Sequence, residues 1–416
     1  MRSFCTFLFI VAFVITPSAH AQLIDSGTGG LEYIQPAPVE ETVEPEVAEP
    51  AYDVEWVDAA KLIEAYRIPE KLADLRGVAA DASGKNVGFY FVSGQKGTYA
   101  VYRNGRRMTR GTTESLPDLY EPTVFRMTAS GDLLYAVRGK ELYVNNKNVS
   151  SGMFQFSAGA TSVHEHGGML TFPEGGNVVT YDIAKDRKIT LYKHAGAIQY
   201  VRRSGGTIAY TVLERGFVRM YRNGRRVSVR GVENPKNFAV SATGDVYFFT
   251  KAARGYALYR NSRSMVTGPG AGAYVDIDPK GRVWHLSYVR SAGATVVRLQ
   301  RDRSAADLLP EGVANVELLL GYPDGGYALR AAFDDDTQKF YVVRDGDVVG
   351  EPFAFEFPFG DTRGFLPVEG GSIAYRAYDG QRWSAFVDGE KLSHATLKNA
   401  RFIRVDGDRV TVYATK

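Results

Sequence analysis

Tyr102-Arg103-Asn104-Gly105-Arg106-Arg107 returns residue for residue at Tyr221-Arg222-Asn223-Gly224-Arg225-Arg226. Tyr259-Arg260-Asn261-Ser262-Arg263-Ser264 is a near copy. Tyr143-Val144-Asn145-Asn146, Val343-Arg344-Asp345-Gly346 and Phe386-Val387-Asp388-Gly389 keep the pattern. Asn-Gly or Asp-Gly between apolar runs marks a tight hairpin, because a type I′ turn needs positive φ at both central residues. The residue three before the turn glycine, or its equivalent, falls at Tyr102, Tyr143, Tyr181, Tyr221, Tyr259, Leu299, Val343 and Phe386. The spacings run from 38 to 44 residues. That period suits four short strands and their turns, as in a propeller blade. The β-branched and aromatic pattern excludes helical repeats of similar length.

One repeat shows the internal order. Asn237 to Ser241 reads as an inner strand, and Thr243-Gly244-Asp245 turns the chain. Val246-Tyr247-Phe248-Phe249-Thr250 is a continuous run, so it is expected to be buried on both faces between neighbouring blades. Tyr256 to Arg260 is the third strand, the Asn261-Ser262 turn follows, and Met265-Val266 begins the fourth. The preceding turns recur at Ser130-Gly131-Asp132, Ser204-Gly205-Gly206, Pro279-Lys280-Gly281 and Glu369-Gly370-Gly371.

This order of inner strand, Ser/Pro-x-Gly turn, hydrophobic strand, aromatic strand and Asp/Asn-Gly turn resembles the WD40-like, TolB-like propeller repeats of bacterial envelope proteins. Ile373-Ala374-Tyr375-Arg376-Ala377 followed by 383–389, and Ile208-Ala209-Tyr210 followed by 218–224, carry the likeness most fully. It covers about residues 74–416. It implies an all-β propeller and protein partners in the periplasm, and it is silent on activity. The eukaryotic WD40 marks, Trp-Asp at strand ends and a Gly-His opening, are absent from the repeats.

Eight full repeats run from about 74 to 396, giving about eight blades as the working number. A half repeat remains at 401–414. At the other end, 56–62 can be laid on 386–392. If those residues are strands they complete the last blade, close the ring and raise the count to nine. Closure removes exposed sheet edges. The competing reading of 56–73 is a short amphipathic helix, Ala59 to Tyr66, capped by Asp58 and stopped before Pro69.

Residues 1–21 read as a secretory signal: Arg2, an apolar run from Phe4 to Ile15, and the small-x-small site Ala19-His20-Ala21. Cys5 lies inside it without a lipoprotein box, so the mature chain would hold no cysteine. That excludes disulfides, thiolate metal sites and cysteine nucleophiles. Residues 22–55 hold four prolines, nine acids and no Lys or Arg, and read as a disordered linker. The chain carries +3 and its first 55 residues sum to −8, so the body carries +11. A basic body favours anionic partners. Localisation is expected to be periplasmic or secreted, with no transmembrane segment in the mature chain.

Chemistry is sparse. His164-Glu165-His166 would place two imidazoles on one side of a strand, a weak metal candidate without a third ligand. Asp334-Asp335-Asp336 lacks the alternating form of a calcium loop and reads as a solvated acidic loop. No nucleophile elbow, phosphate loop, dinucleotide fingerprint or haem motif occurs, and no cofactor is expected. Equivalent turns of a radial repeat lie on one face. Arg103, Arg106, Arg107, Arg222, Arg225, Arg226, Arg260 and Arg263 would therefore form a basic sector. The reading favoured is an exported, non-catalytic propeller that serves as an interaction scaffold in the cell envelope, with envelope or secreted proteins, acidic ones included, as partners. Nucleic acid is not expected, because the chain is exported and aromatic residues are not interleaved with these arginines. Two alternatives stay open. One is a propeller hydrolase or lyase acting on envelope or extracellular glycans, with His164, His166 and His285 as first candidates. The other is a polyanion-binding module built on the arginine turns.

Overall fold

The computed structural model describes residues 52–81, 83–93, 97–112, 124–137, 141–150, 163–278, 280–291, 294–304, 307–321, 326–333, 336–354, 365–369, 371–378 and 382–416. The readings of 1–21 as a signal and of most of 22–55 as a linker lie outside them, as do Asp334 and Asp335.

Nine blades follow one another along the described residues. Blades 1 to 5 span 75–112, 125–148, 164–193, 197–226 and 232–268, each with four antiparallel strands in chain order. Blade 6 (271–301) shows three strands. Blade 7 (313–354) and blade 8 (365–391) show four each, joined through the single pair Ala354↔Tyr378. Blade 9 combines 399–406 and 409–415 with the N-terminal strand Asp53–Asp58. Between blades the adhesive is side-chain packing. The run 246–250 is buried throughout: Val246 and Phe248 pack toward blade 4, Tyr247 and Phe249 toward blade 6. This is why that strand is apolar without alternation. A fully buried Phe or Val contributes roughly 1.5–3 kcal/mol, so nine such interfaces outweigh one cross-blade ladder pair.

Nine apolar clusters fill the nine junctions, including those between blades 8 and 9 and between blades 9 and 1. The ring is closed. The ninth blade forms as the N-terminal alternative requires, and the working number of eight becomes nine. Both local readings of the N-terminus hold, in succession. Asp53–Asp58 pairs with 409–414 in register from Asp53↔Arg409 to Asp58↔Ala414. Its first three residues, Asp53 to Glu55, lie within the stretch whose composition reads as a disordered linker, and they are strand instead. The pairing is parallel, so this strand does not repeat the hairpin of 386–392, whose third strand is antiparallel. At Asp58 the chain turns into the helix Ala59–Ala65. The Asp58 carboxylate accepts from the Ala60 and Lys61 amides at 3.0 and 3.2 Å. Helix residues Ala59 and Ile63 pack with Phe89, Phe91 and Phe402, sealing blade 9 against blade 1. Arg404 Nη1 spans the same junction to the Asp81 carbonyl at 2.5 Å.

Removing residues before Ala59 exposes one edge of the strand Arg409–Thr415. We expect the shortened protein to lose several degrees in Tm and to self-associate, measured by calorimetry and light scattering. An unchanged Tm and a monodisperse monomer would contradict closure by this strand.

Candidate interaction surface on the turn face

Antiparallel order within each blade brings the first–second turn and the third–fourth turn to the same end. In blade 4, Ser204↔Thr207 closes one hairpin and Arg222↔Arg225 the other, while Ala209↔Arg222 holds the two side by side. All such turns therefore crown one face of the ring, the turn face. The remaining loops crown the opposite, loop face.

The third–fourth turns take left-handed backbone at Asn104 (φ 48°), Asn145 (55°), Asn223 (46°), Asn261 (54°), Asp302 (54°), Asp345 (51°) and Asp388 (47°). Each of these residues does more than tolerate the turn. Its backbone N–H donates to the carbonyl of the residue opening the second strand: Val87, Leu133, Ile208, Val246, Val283, Tyr327 or Ile373, at 2.7–3.0 Å. Its side-chain Oδ1 accepts the amide of that same residue, also at 2.7–3.0 Å. Seven blades share this two-bond clamp. Blade 3 keeps only the backbone bond, Ile183 N–H to the Gly168 carbonyl at 3.0 Å, because Ile183 offers no acceptor. The choice between Asn and Asp follows the neighbouring turn in six of the seven clamped blades, and blade 4 departs from this by pairing Asn223 with Thr207. In blades 1, 2 and 5 the Asn Nδ2 also donates to Asn86, Asp132 or Asp245 in the neighbouring turn. Blades 6 to 8 carry Arg282, Gly326 and Ser372 there, which offer no carboxylate or amide oxygen, and use Asp. In blade 1 the next position has no room for a side chain: a Cβ on Gly105 would stand 2.5 Å from the Tyr66 carbonyl oxygen.

The sequence-predicted arginines divide into two groups. Arg103, Arg222 and Arg260 precede the clamp residue and reach inward across turns. Arg103 Nη1 donates to Asn145 Oδ1 of the next blade at 3.1 Å. Arg260 grips Asp245 Oδ2 through Nε at 2.9 Å and Nη2 at 2.5 Å. Burial pushes the Asp245 carboxyl up, but the Arg260 and Asn261 hydrogen bonds, with the charges of Arg260 and Arg222, hold it below its usual range. Arg344, not singled out in the sequence, repeats the device by donating to Asp388 Oδ2 of the next blade at 2.7 Å. Arg106, Arg107, Arg225, Arg226 and Arg263 are exposed and form no ion pair among the described residues.

The ring does not gather these side chains into one compact sector. Blades 4 and 5 are neighbours, but blade 1 stands three blades from blade 4. The gap is bridged by cations that repeat alignment passes over: Lys147 in blade 2, and Lys185 and Arg187 in blade 3. Lys147 pairs with Asp186 and Lys185 with Asp182, leaving Arg187 exposed. Blade 6 adds exposed Arg301 and Arg303. The balance tips the other way at the turns of blades 7 to 9, where Asp345, Asp347, Glu390, Asp406 and Asp408 outnumber Lys391 and Arg409. The turn face is thus polarised, basic over blades 1 to 6 and acidic over blades 7 to 9.

The histidines are not brought together. His164 and His166 lie on the inner strand of blade 3, and no cluster of three or more His, Asp or Glu capable of holding a metal occurs among the described residues. His285 is fully buried in blade 6, with Nε2 3.1 Å from the Asp302 carbonyl oxygen, where it braces that blade's clamp. His194 meets the Tyr210 hydroxyl at 2.8 Å beside the stacked pair Tyr210–Tyr221. Burial lowers both pKa values. Elsewhere, Arg376 of blade 8 donates from Nη1 to the Arg401 carbonyl of blade 9, and its guanidinium lies 5.0 Å over Trp383. Burial, then the charges of Arg76 and Arg376, depress the Arg401 guanidinium.

No family model and no curated protein matches the sequence. Among solved structures, the chain is similar to dipeptidyl peptidase 4 of Porphyromonas gingivalis, at 12% identity and a TM-score of 0.46. The match covers 85% of this chain and 66% of the peptidase, just under two thirds of that protein's length. TolB of Acinetobacter baumannii matches at 12% identity and 0.35, over 76% of this chain and 77% of that one. BamB of Moraxella catarrhalis matches at 11% and 0.36, over 78% and 86%.

The buried imidazoles set an acid sensitivity. Their folded pKa values lie below the ordinary 6.5. Above 6.5 neither state binds the proton. As pH falls below it, the unfolded chain protonates first, so stability declines. We expect His285→Gln to flatten the decline in unfolding free energy between about pH 6.5 and pH 5. The carboxylates held low, such as Asp81 and Asp245, act only below their ordinary 3.8. A slope identical to that of the wild-type protein would refute this role.

Proposed function

We propose that this protein is an exported, non-catalytic propeller that binds an acidic protein partner of the cell envelope through the basic arc of its turn face. The observation that carries this reading is the polarised turn face. Exposed arginines project from turns fixed at both ends by the Asn/Asp clamps. Rigid display of one charge sign favours fast, oriented capture of a surface of opposite sign. The repeat pattern shared with TolB-like propellers supports protein partners, and the N-terminal signal-like stretch supports export. No helix among the described residues is long and apolar enough to cross a membrane. Of the histidines named for a glycan-cleaving role, His285 is buried against the Asp302 carbonyl, and His164 and His166 lie on the inner strand of blade 3.

The test is crosslinking in cells of tagged wild-type protein and of a variant with Arg106, Arg107, Arg225, Arg226 and Arg263 changed to Glu, followed by mass spectrometry. These side chains are exposed and outside the clamps, so the variant is expected to keep its Tm. We expect wild-type protein to capture one or two stoichiometric envelope proteins, and capture by the variant to fall by about ten-fold or more. Undiminished capture would reject the basic arc. Retention on an acidic polysaccharide, with no protein captured, would move the reading to a polyanion-binding module.

A further inference from the structure

The two most exposed large apolar side chains among the described residues stand together on the loop face. Phe217 is 57% exposed and Val229 67%. Leu213, 40% exposed, pairs with Val218 and so projects from the other face of the sheet. Leu213 lies near the end of the second strand of blade 4 and Phe217 opens the third. Val229 lies in the segment leading from blade 4 to blade 5. The hairpin between them turns at Arg215 (φ 49°) and Gly216 (φ 81°), with ladder pairs Leu213↔Val218 and Glu214↔Phe217.

This tip is held out in a fixed form. The Arg219 guanidinium lies 5.2 Å over the Phe217 ring, and its Nη1 donates to the Val229 carbonyl at 3.2 Å. A Cβ on Gly231 would stand 3.7 Å from the Phe217 ring. Hairpin and following segment therefore form one exposed unit. Its apolar side chains face solvent although the blade interior nearby is fully packed around Val212 and Met220.

Cations outnumber carboxylates around the tip, where Glu214 and the half-buried Glu233 are the acids. Arg215 and Arg230 are exposed on blade 4, and Lys251 and Arg254 are exposed at the corresponding hairpin of blade 5. The one carboxylate in the hairpin, Glu214, accepts from the Tyr221 hydroxyl at 2.6 Å and points its hydrogen-bonding capacity inward. A partner protein of ordinary kind would be met by a flat patch with polar groups at its rim. An exposed apolar tip among surplus cations fits a bilayer surface instead. There the hydrophobic side chains enter the headgroup region, and Arg and Lys meet lipid phosphates while their stems stay apolar.

We propose that the blade 4 tip is a membrane-docking element that inserts Phe217 and Val229 into the interface of an anionic bilayer. It lies on the face opposite the basic turns, so it stands or falls independently of the partner-binding reading.

The test uses the purified protein with phosphatidylcholine vesicles and with vesicles containing phosphatidylglycerol. Wild-type protein should sediment with the anionic vesicles and not with the neutral ones, and added salt should weaken binding. A Phe217→Trp reporter should shift its emission to the blue on the anionic vesicles only. The double change Phe217→Ser, Val229→Ser should lower bound protein by about ten-fold or more, and so should Arg215→Glu with Arg230→Glu. Circular dichroism shows that each variant is folded. Absence of binding to anionic vesicles, or equal binding by the serine variant, would overturn the proposal. So would a wild-type dimer in solution that the serine variant converts to monomer, since the tip would then serve self-association.

Discussion

A side-chain oxygen on a left-handed turn residue, accepting one backbone amide at the start of a neighbouring strand, recurs in seven of the nine blades. Each such bond contributes on the order of 1 kcal/mol net, and the backbone bond from the same residue doubles the link. The geometry extends the ladder between the second and third strands and ties the two hairpins into one corner. Every corner lies on the same face, so the clamps set the height and direction of the arginines around them. Where an arginine reaches across a junction, as Arg103 and Arg344 do, its acceptor is the clamp residue of the next blade. The turn face is in this sense a hydrogen-bonded rim laid over apolar interfaces.

Ring closure obeys the same economy of local and global preference. Asp58 ends a strand that completes blade 9 and caps the helix that seals blade 9 against blade 1. Strand and helix looked like competing readings of one short stretch because the pattern 56–62 is compatible with either. They are successive, and one residue serves both. The parallel direction follows from where the chain enters: Asp53 lies beside Arg409, at the turn face, and the chain leaves Asp58 at the loop face.

Much of the fold was legible in the residues. Period, turn type and the doubly buried run 246–250 follow from Asn-Gly spacing and from the absence of alternation, and the structure reproduces them. The clamp was only half legible. Asn and Asp were expected for positive φ, whereas their role as acceptors needs the second strand's first amide in place. The basic sector was legible in kind but not in layout. Equivalent turns do share a face, yet the nine-fold order separates blade 1 from blade 4 and turns Arg103 and Arg260 toward other side chains. The apolar tip at Phe217 had no sequence mark, because Val-Leu-Glu-Arg-Gly-Phe-Val reads as an ordinary hairpin until exposure is known.

The measurement that bears most directly on this account is native-state hydrogen exchange at the residues opening the second strands. Val87, Leu133, Ile208, Val246, Val283, Tyr327 and Ile373 should exchange slowly. Gly168, the equivalent residue in blade 3, should exchange about ten-fold faster or more, since no side chain accepts its amide there. Comparable rates at Gly168 and the seven clamped amides would contradict the clamp as the element that fixes the turn face.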